Sequence, residues 1–173
     1  MFGIYFARNL YENRDLPVGY KQEKVSIEPP ILLRIPGLEV EAFVEQVGLT
    51  SDGFMDVPEG RLNVAWLNLG PRPGEIGSSV IAGHRGWKNG LSAVFDNLHK
   101  LREGDKVYVE TDGGQTLTFV VRETRVYDYD AYVPEVFASV DGKHLNLITC
   151  SGAWNIERGS SVERLVVFTD IVE

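Results

Sequence analysis

Cys150 is the only cysteine of this 173-residue chain, and it ends the alternating apolar segment LNLITC. Strand periodicity places Asn146 and Cys150 on the same face of that segment. Ser151 and Gly152 follow, and their small side chains offer little bulk to cover the sulfur. A single cysteine is often just a small buried apolar residue. At the end of a strand it is also a candidate nucleophile, since exposed thiolates are the reactive form.

His84 is the histidine whose position favours chemistry among the three in the chain. It ends the apolar segment SVIAGH, where alternation places it on the same face as Ala82. A titratable ring at the end of a buried strand lies at a rim, where catalytic groups are common. We interpret His99 and His144 as surface or boundary residues, because each adjoins a lysine in a polar setting.

A thiol and an imidazole together indicate acyl transfer, in which a thiolate attacks a carbonyl and the imidazole protonates the leaving amine. The tetrahedral intermediate carries an oxyanion, and arginine suits its stabilisation because it stays protonated. Two arginines follow the cysteine, Arg158 and Arg164. Arg164 opens the segment RLVVFTDIV, so a strand would hold its backbone. We therefore predict that Arg164, rather than Arg158, is the catalytic arginine.

The elements that must position these residues are mostly strands. From residue 31 onward the chain shows about eight short apolar or alternating segments separated by turn signals such as Asp112-Gly113-Gly114. This pattern predicts a mostly β fold, a closed or nearly closed antiparallel barrel, with one or two short helices. Apolar residues spaced by three and four predict a helix over residues 91–101. We predict a lead-in segment over residues 1–30 and one domain over residues 31–173.

Composition excludes several other classes of protein. There are 17 basic and 25 acidic residues, so the net charge of −8 argues against a nucleic-acid partner. No apolar run is long enough to span a bilayer. The scattered histidines and single cysteine lack the paired spacing of metal ligands, and no phosphate-binding glycine motif is present. We therefore predict neither a metal nor a cofactor.

Three segments together resemble the sortase family of cysteine transpeptidases found on Gram-positive cell surfaces. Sortases end a strand with Thr-Leu-x-Thr-Cys, and residues 146–150 read Asn-Leu-Ile-Thr-Cys, with Asn146 in place of the first threonine. The segments VIAGH and ERLVVF match the family's histidine and arginine strands. The Gly/Pro-rich segment GPRPGEIG is most similar to the loops of class E or F sortases.

The resemblance implies an eight-stranded sortase barrel and a defined reaction. Cys150 would attack the Thr–Gly bond of an LPxTG-like sorting signal, with His84 as general acid and base. Arg164 would steady the oxyanion, and Thr149 would assist in substrate binding. The thioester would pass to an amine of a lipid-linked peptidoglycan precursor or a pilin lysine. The family works at the extracellular face of the membrane or the cell wall, and we expect a membrane anchor that this chain lacks.

The segment between the hairpin and the cysteine strand, YDAYVPEVFASVDGK, would correspond to the sortase loop that reads the sorting signal. Its apolar residues Val133, Pro134 and Val136 are the candidate substrate contacts. Simple packing of the loop on the barrel is the alternative interpretation of the same residues.

Two other functions remain open on the sequence. Another cysteine acyl-transfer enzyme or hydrolase would use the same pair of groups, although an L,D-transpeptidase carries a His-Gly pair ahead of its cysteine and NLITC does not. A non-catalytic β-barrel binding domain would instead bury an inert Cys150 that reacts slowly with thiol reagents.

Overall fold

Eight β-strands close into a barrel in the computed structural model, which describes residues 27–172. The strands are β1 (Pro30–Ile35), β2 (Val40–Val47), β3 (Val64–Leu67), β4 (Gly77–Gly83), β5 (Lys106–Thr111), β6 (Thr116–Asp128), β7 (Lys143–Asn155) and β8 (Ser160–Ile171). Their order around the barrel is β1-β2-β3-β4-β7-β8-β6-β5. The predicted mostly β barrel is confirmed, whereas most of the lead-in predicted for residues 1–30 lies outside the described residues.

Two neighbouring pairs of strands are parallel, so the prediction of an antiparallel barrel is wrong for them. β2 pairs in parallel with β3, and β4 pairs in parallel with β7. Parallel neighbours need a long crossover connection. Here β4 and β7 are separated in the chain by the β5–β6 hairpin. The local turn signals identify each strand, but they do not show which distant strand it will join.

The helix predicted over residues 91–101 is also wrong. Within the described chain this segment forms turns and one short 3-10 helix, Leu98–Lys100. Two of its backbone amides are used elsewhere: Val94 donates to the carbonyl of Arg61 and Phe95 donates to that of His84, each at 2.9 Å. The spacing of the apolar residues correctly predicted burial of Val94, Phe95, Leu98 and Leu101, but tertiary contacts replaced the helical hydrogen bonds.

Short helices complete the described elements. One α-helical turn, α1 (Pro134–Phe137), lies in the connection from β6 to β7. Three 3-10 helices cover Pro36–Leu38, Lys88–Gly90 and Leu98–Lys100.

β4, β7 and β8 are buried on both faces, which divides the core into two clusters. Inward residues of these strands, such as Ile81 and Leu147, pack inside the barrel around Phe95. Outward residues of the same strands form a second apolar cluster, which α1 and its neighbours cover. This outer cluster includes Ala82, Ile148, Val166, Val133, Val136 and Phe137. The outer face of these three strands is therefore a packed surface that continues toward the strand ends.

A substitution at Gly83, the last residue of β4, tests how tightly this strand packs against Phe95 and Val94. A methyl group added to Gly83 would lie 2.5 Å from Cδ2 of Phe95 and 2.8 Å from Cγ1 of Val94. Gly83→Ala should therefore lower the free energy of unfolding by about 1–3 kcal/mol, measured by urea denaturation. Gly48→Ala is the matched control, since nothing lies within 4 Å of its added methyl group. Equal stability of the two variants would contradict the tight contact of Phe95 with β4.

Candidate active site

β4, β7 and β8 bring the three predicted catalytic residues side by side. His84 directly follows the end of β4, but β7 continues beyond Cys150 to Asn155 and β8 begins before Arg164, at Ser160. The predictions that Cys150 ends its strand and that Arg164 opens its strand are therefore wrong, because the residues beyond Cys150 still pair with β8 across an irregularity in the register.

Cys150 on β7 is the direct pairing partner of Arg164 on β8. The parallel register of β4 and β7 aligns Ala82 with Ile148. Continued by two residues, that register puts His84 beside Cys150. Because neighbouring strands lie about 4.8 Å apart and alternate residues share a face, all three side chains emerge next to one another on the outer face of the barrel.

The Cys150 side chain is partly buried between its neighbours. Burial raises the pKa of the thiol above its usual value, because it disfavours the thiolate. The positive charge of Arg164 and hydrogen bonds with Ser161 act in the opposite direction without overcoming burial. At neutral pH the sulfur is therefore protonated, and it has to lose its proton before it can attack.

His84 has a fixed orientation in a half-buried site. Its Nε2 lies 2.7 Å from the carbonyl oxygen of Pro58, and its ring meets Trp87 edge-on with the ring centroids 4.7 Å apart. A carbonyl oxygen can only accept, so Nε2 carries the proton in this contact. Burial lowers the pKa of His84, although the Pro58 carbonyl and the negative charge of Glu45 oppose that effect. The resting site therefore holds a neutral imidazole next to a neutral thiol.

Arg164 places a buried positive charge next to the sulfur. Its side chain has 0% exposure. Nη1 donates to the carbonyl oxygens of Ser161 at 2.9 Å and Glu163 at 2.7 Å, while Nη2 donates to Oγ of Ser160 at 2.8 Å. The ring of Tyr129 stacks on the guanidinium, with its centroid 4.8 Å from Cζ. The positive charge of Arg164 thus acts on Cys150 while the Tyr129 ring covers the guanidinium.

Arg158, the alternative to Arg164 as the catalytic arginine, has a different position. It is exposed in the turn between β7 and β8, with its Cζ 5.6 Å from the ring centroid of Tyr129. It has no place in the strand register that joins Cys150 to Arg164. The geometry therefore favours Arg164 over Arg158.

Comparison with protein families decides the family of this chain. The sequence model of the sortase domain matches residues 33–172. The chain belongs to the sortase family.

Solved sortase structures share the barrel of this chain. Sortase C-1 from Actinomyces oris is 27% identical, with a TM-score of 0.65, and the match covers 82% of this chain and 73% of that one. Sortase A from Corynebacterium diphtheriae is 25% identical, with a TM-score of 0.64, and the match covers 84% of this chain and 62% of that one. The match therefore spans less than two thirds of the Corynebacterium enzyme. No curated protein sequence matches the chain. Its assignment to class E or F stays a prediction.

Thr149 of this sortase lies on the other face of β7 from Cys150. Its side chain is completely buried, and Oγ1 donates a 2.7 Å hydrogen bond to the carbonyl oxygen of Gly83. The hydroxyl therefore links β7 to the end of β4. The predicted contact of the Thr149 side chain with substrate does not fit this position, because strand alternation turns it into the barrel.

Two of the three predicted loop contacts, Val133 and Val136, are buried against the outer face of the barrel. Val133 and Val136 are 3% and 0% exposed and belong to the outer cluster, and Pro134 between them is only partly buried. Nδ2 of Asn146 donates a 2.6 Å hydrogen bond to the carbonyl oxygen of Val136. Asn146 thus anchors α1 to the cysteine strand. The two valines support the loop from below and offer no open surface to a ligand.

Sequence reasoning missed Pro58 and Tyr129, which contact His84 and Arg164 directly. Neither residue lies at a spacing from its partner that suggests contact. A carbonyl oxygen, moreover, carries no side-chain signal at all. Tyr129 alone offered a signal, because it is an aromatic residue just after β6.

Two general searches of residues 27–172 complete the description. Over that range no three side chains of His, Cys, Asp or Glu come together in a way that could hold a metal ion. Over the same range no helix has the length and apolar character needed to cross a membrane.

The raised pKa of Cys150 predicts its reactivity with pH. Alkylation by iodoacetamide, followed by mass spectrometry, should rise with pH and reach half its maximal rate above about pH 8.5, the usual thiol value. Cys150→Ala, which removes the only thiol, should take up no label. A midpoint below pH 7 would instead mean that the resting site holds a thiolate next to an imidazolium.

Proposed function

We propose that this sortase is a cysteine transpeptidase that cleaves an LPxTG-like sorting signal and transfers its acyl part to an amine. The observation that carries the proposal is the alignment of His84, Cys150 and Arg164 along three neighbouring strands of the barrel. Nucleophile, proton carrier and fixed cation are the groups that acyl transfer through a thioester requires.

The first half of the reaction forms the acyl-enzyme. The thiol of Cys150 gives its proton to the neutral imidazole of His84, and the thiolate attacks the carbonyl carbon of the threonine in the signal. The C–N bond to glycine breaks as the imidazolium returns the proton to the leaving amine. The threonine is then held to Cys150 as a thioester.

The second half resolves the thioester. A new amine attacks the same carbonyl carbon, His84 takes a proton from its nitrogen, and the C–S bond breaks. The proton then returns to the sulfur, which restores the neutral pair. A lipid-linked peptidoglycan precursor or a pilin lysine would supply this amine. The work would take place at the extracellular face of the membrane or at the cell wall.

Arg164 stabilises both tetrahedral intermediates. Each oxyanion forms on the carbon that is bonded to the sulfur of Cys150, next to Arg164. A buried cation acts strongly there because little water screens it. The ring of Tyr129 covers this cation at rest. A substrate that contacts the guanidinium directly would therefore displace the Tyr129 ring. With the ring in place, the charge of Arg164 acts on the oxyanion without direct contact.

A peptide panel tests the proposal. The sortase is incubated with LPxTG, LAxTG and related peptides, each with and without an added amine, and the products are identified by mass spectrometry. A new amide that forms only with the amine is the expected result. Release of the free acid alone would identify a hydrolase. No cleavage of any peptide, together with an unreactive Cys150, would favour a non-catalytic barrel.

Cys150→Ala should abolish the thioester adduct and the amide product. Its effect on the free energy of unfolding should be about 1 kcal/mol or less, because the side chain is small and partly exposed. Mass spectrometry of the intact protein detects the adduct, and urea denaturation checks the fold. Turnover by this variant would remove Cys150 from the role of nucleophile.

His84→Ala should reduce kcat on the order of 10²- to 10⁴-fold, the usual contribution of a general acid–base group. The initial rate of amide formation measures this change. Near-normal kcat in a folded His84→Ala variant would mean that another group carries the proton.

The two arginines give a matched pair of variants. Arg164→Lys should slow amide formation by about 10²-fold or more, because a lysine cannot keep the same fork of donors beside the sulfur. Arg158→Lys should leave the rate little changed, since Arg158 is exposed and out of register with Cys150. The reverse order of rates would exchange the roles of the two residues.

A further inference from the structure

One carboxylate on β2 organises the loop that contacts His84. Glu45 accepts three hydrogen bonds from this loop: the amide of Glu59 at 2.9 Å, the amide of Gly60 at 3.3 Å and Nδ2 of Asn63 at 2.8 Å. Its partners therefore include two consecutive backbone amides and a side chain three residues further on. A carboxylate that accepts several such bonds fixes the local backbone, since each bond is charge-assisted.

The loop held by Glu45 passes directly to the imidazole. Pro58, the residue before Glu59, supplies the carbonyl oxygen that lies 2.7 Å from Nε2 of His84. The proline ring restricts φ at this residue, and the bond from the Glu59 amide to Glu45 restrains the peptide unit that carries the carbonyl. The path from Glu45 to the ring thus consists of two hydrogen bonds and one peptide unit.

A second set of contacts holds the far side of the same loop. The carbonyl of Arg61 accepts from the amide of Val94 at 2.9 Å, and Nη1 of Arg61 donates to the carbonyl of Ser92 at 2.6 Å. The amide of Phe95 in turn donates to the carbonyl of His84 at 2.9 Å. The loop and the histidine are therefore anchored to the same segment. The hydrogen bond from the Glu59 amide to Glu45 is the one that holds the peptide unit carrying the Pro58 carbonyl.

Glu45 is charged under working conditions. Burial tends to raise its pKa, but hydrogen bonds from Glu59, Asn63 and Gly60 outweigh burial and lower the pKa below the usual value. The carboxylate is therefore ionised at neutral pH and remains an acceptor for all three donors.

We propose that Glu45 is a positioning residue for His84, which holds the imidazole through Pro58 as the tautomer with its proton on Nε2. In this arrangement Nδ1 bears the lone pair that receives the proton of Cys150 and returns it to the leaving amine. The hydrogen bond from Nε2 to Pro58 persists through the cycle, since both nitrogens carry protons in the imidazolium. The inference rests on the proposed function, but its structural part concerns the tautomer alone.

Nitrogen-15 NMR tests the tautomer independently of activity. In a two-bond ¹H–¹⁵N correlation spectrum of the whole chain at a pH where His84 is neutral, Nε2 should show the shift of a protonated nitrogen and Nδ1 that of a bare one. His84→Gln identifies the signals by their loss. A wild-type ring with its proton on Nδ1 would overturn the proposal, whatever the enzyme does with peptides.

Variants of Glu45 then test the positioning. Glu45→Ala removes all three acceptor contacts, so the His84 signals should shift toward the average of the two tautomers and kcat should fall on the order of 10- to 100-fold. KM for the peptide should stay unchanged, because Glu45 acts through Pro58 and not on the substrate. Glu45→Gln keeps one acceptor oxygen, so it should lie between wild type and Glu45→Ala in both measurements.

The matched control is Glu41→Gln. Glu41 lies on the same strand and is exposed, and it pairs in register with Arg34 on β1, away from the loop. This variant should keep the wild-type His84 signals and kcat. If Glu45→Ala and Glu45→Gln both keep the wild-type signals and kcat, Glu45 does not position His84. Should no peptide react even with wild type, the NMR shifts of the Glu45 variants still decide the tautomer, and only the proposed function fails.

Discussion

The parallel pairing of β4 with β7 is the constraint on which the site depends. It sets His84 and Cys150 at the same level on neighbouring strands, and the antiparallel pairing of β7 with β8 adds Arg164 at that level. The hydrogen bond from Thr149 to Gly83 links β7 to the end of β4. A slip of one residue in either register would turn one of these three side chains to the opposite face.

The electrostatics of the site follow from the two-sided burial of these strands. Burial raises the pKa of Cys150 and lowers that of His84, so both groups rest in the neutral state. The buried guanidinium of Arg164 offsets part of this effect at the sulfur, and Tyr129 shields it from water. In the proposed reaction, charge separation between thiol and imidazole would therefore occur only during catalysis, beside a fixed cation that stabilises developing negative charge.

The sequence was sufficient for the features that depend on local pattern. Alternation located the strands, and the residue types in three of them suggested the three catalytic candidates. It placed the end of β7 and the start of β8 wrongly, since Cys150 and Arg164 lie inside these strands. It failed where distant partners decide the outcome: residues 91–101 use amides for tertiary contacts instead of a helix, and two strand pairs are parallel. Thr149 and Val136 were assigned to substrate from a resemblance, whereas their packing depends on faces and covers that only the folded barrel defines.

The wide separation of β4 and β7 along the chain has a consequence for biosynthesis. The hydrogen-bonded residues Gly83 and Thr149 are 66 positions apart, and the hairpin of β5 and β6 must fold between them. Contacts over such distances form late, because the entropy of closing a long loop opposes them. Until the barrel closes, Cys150 has no histidine beside it. Closure of the barrel is therefore also the step that brings the thiol and the imidazole together.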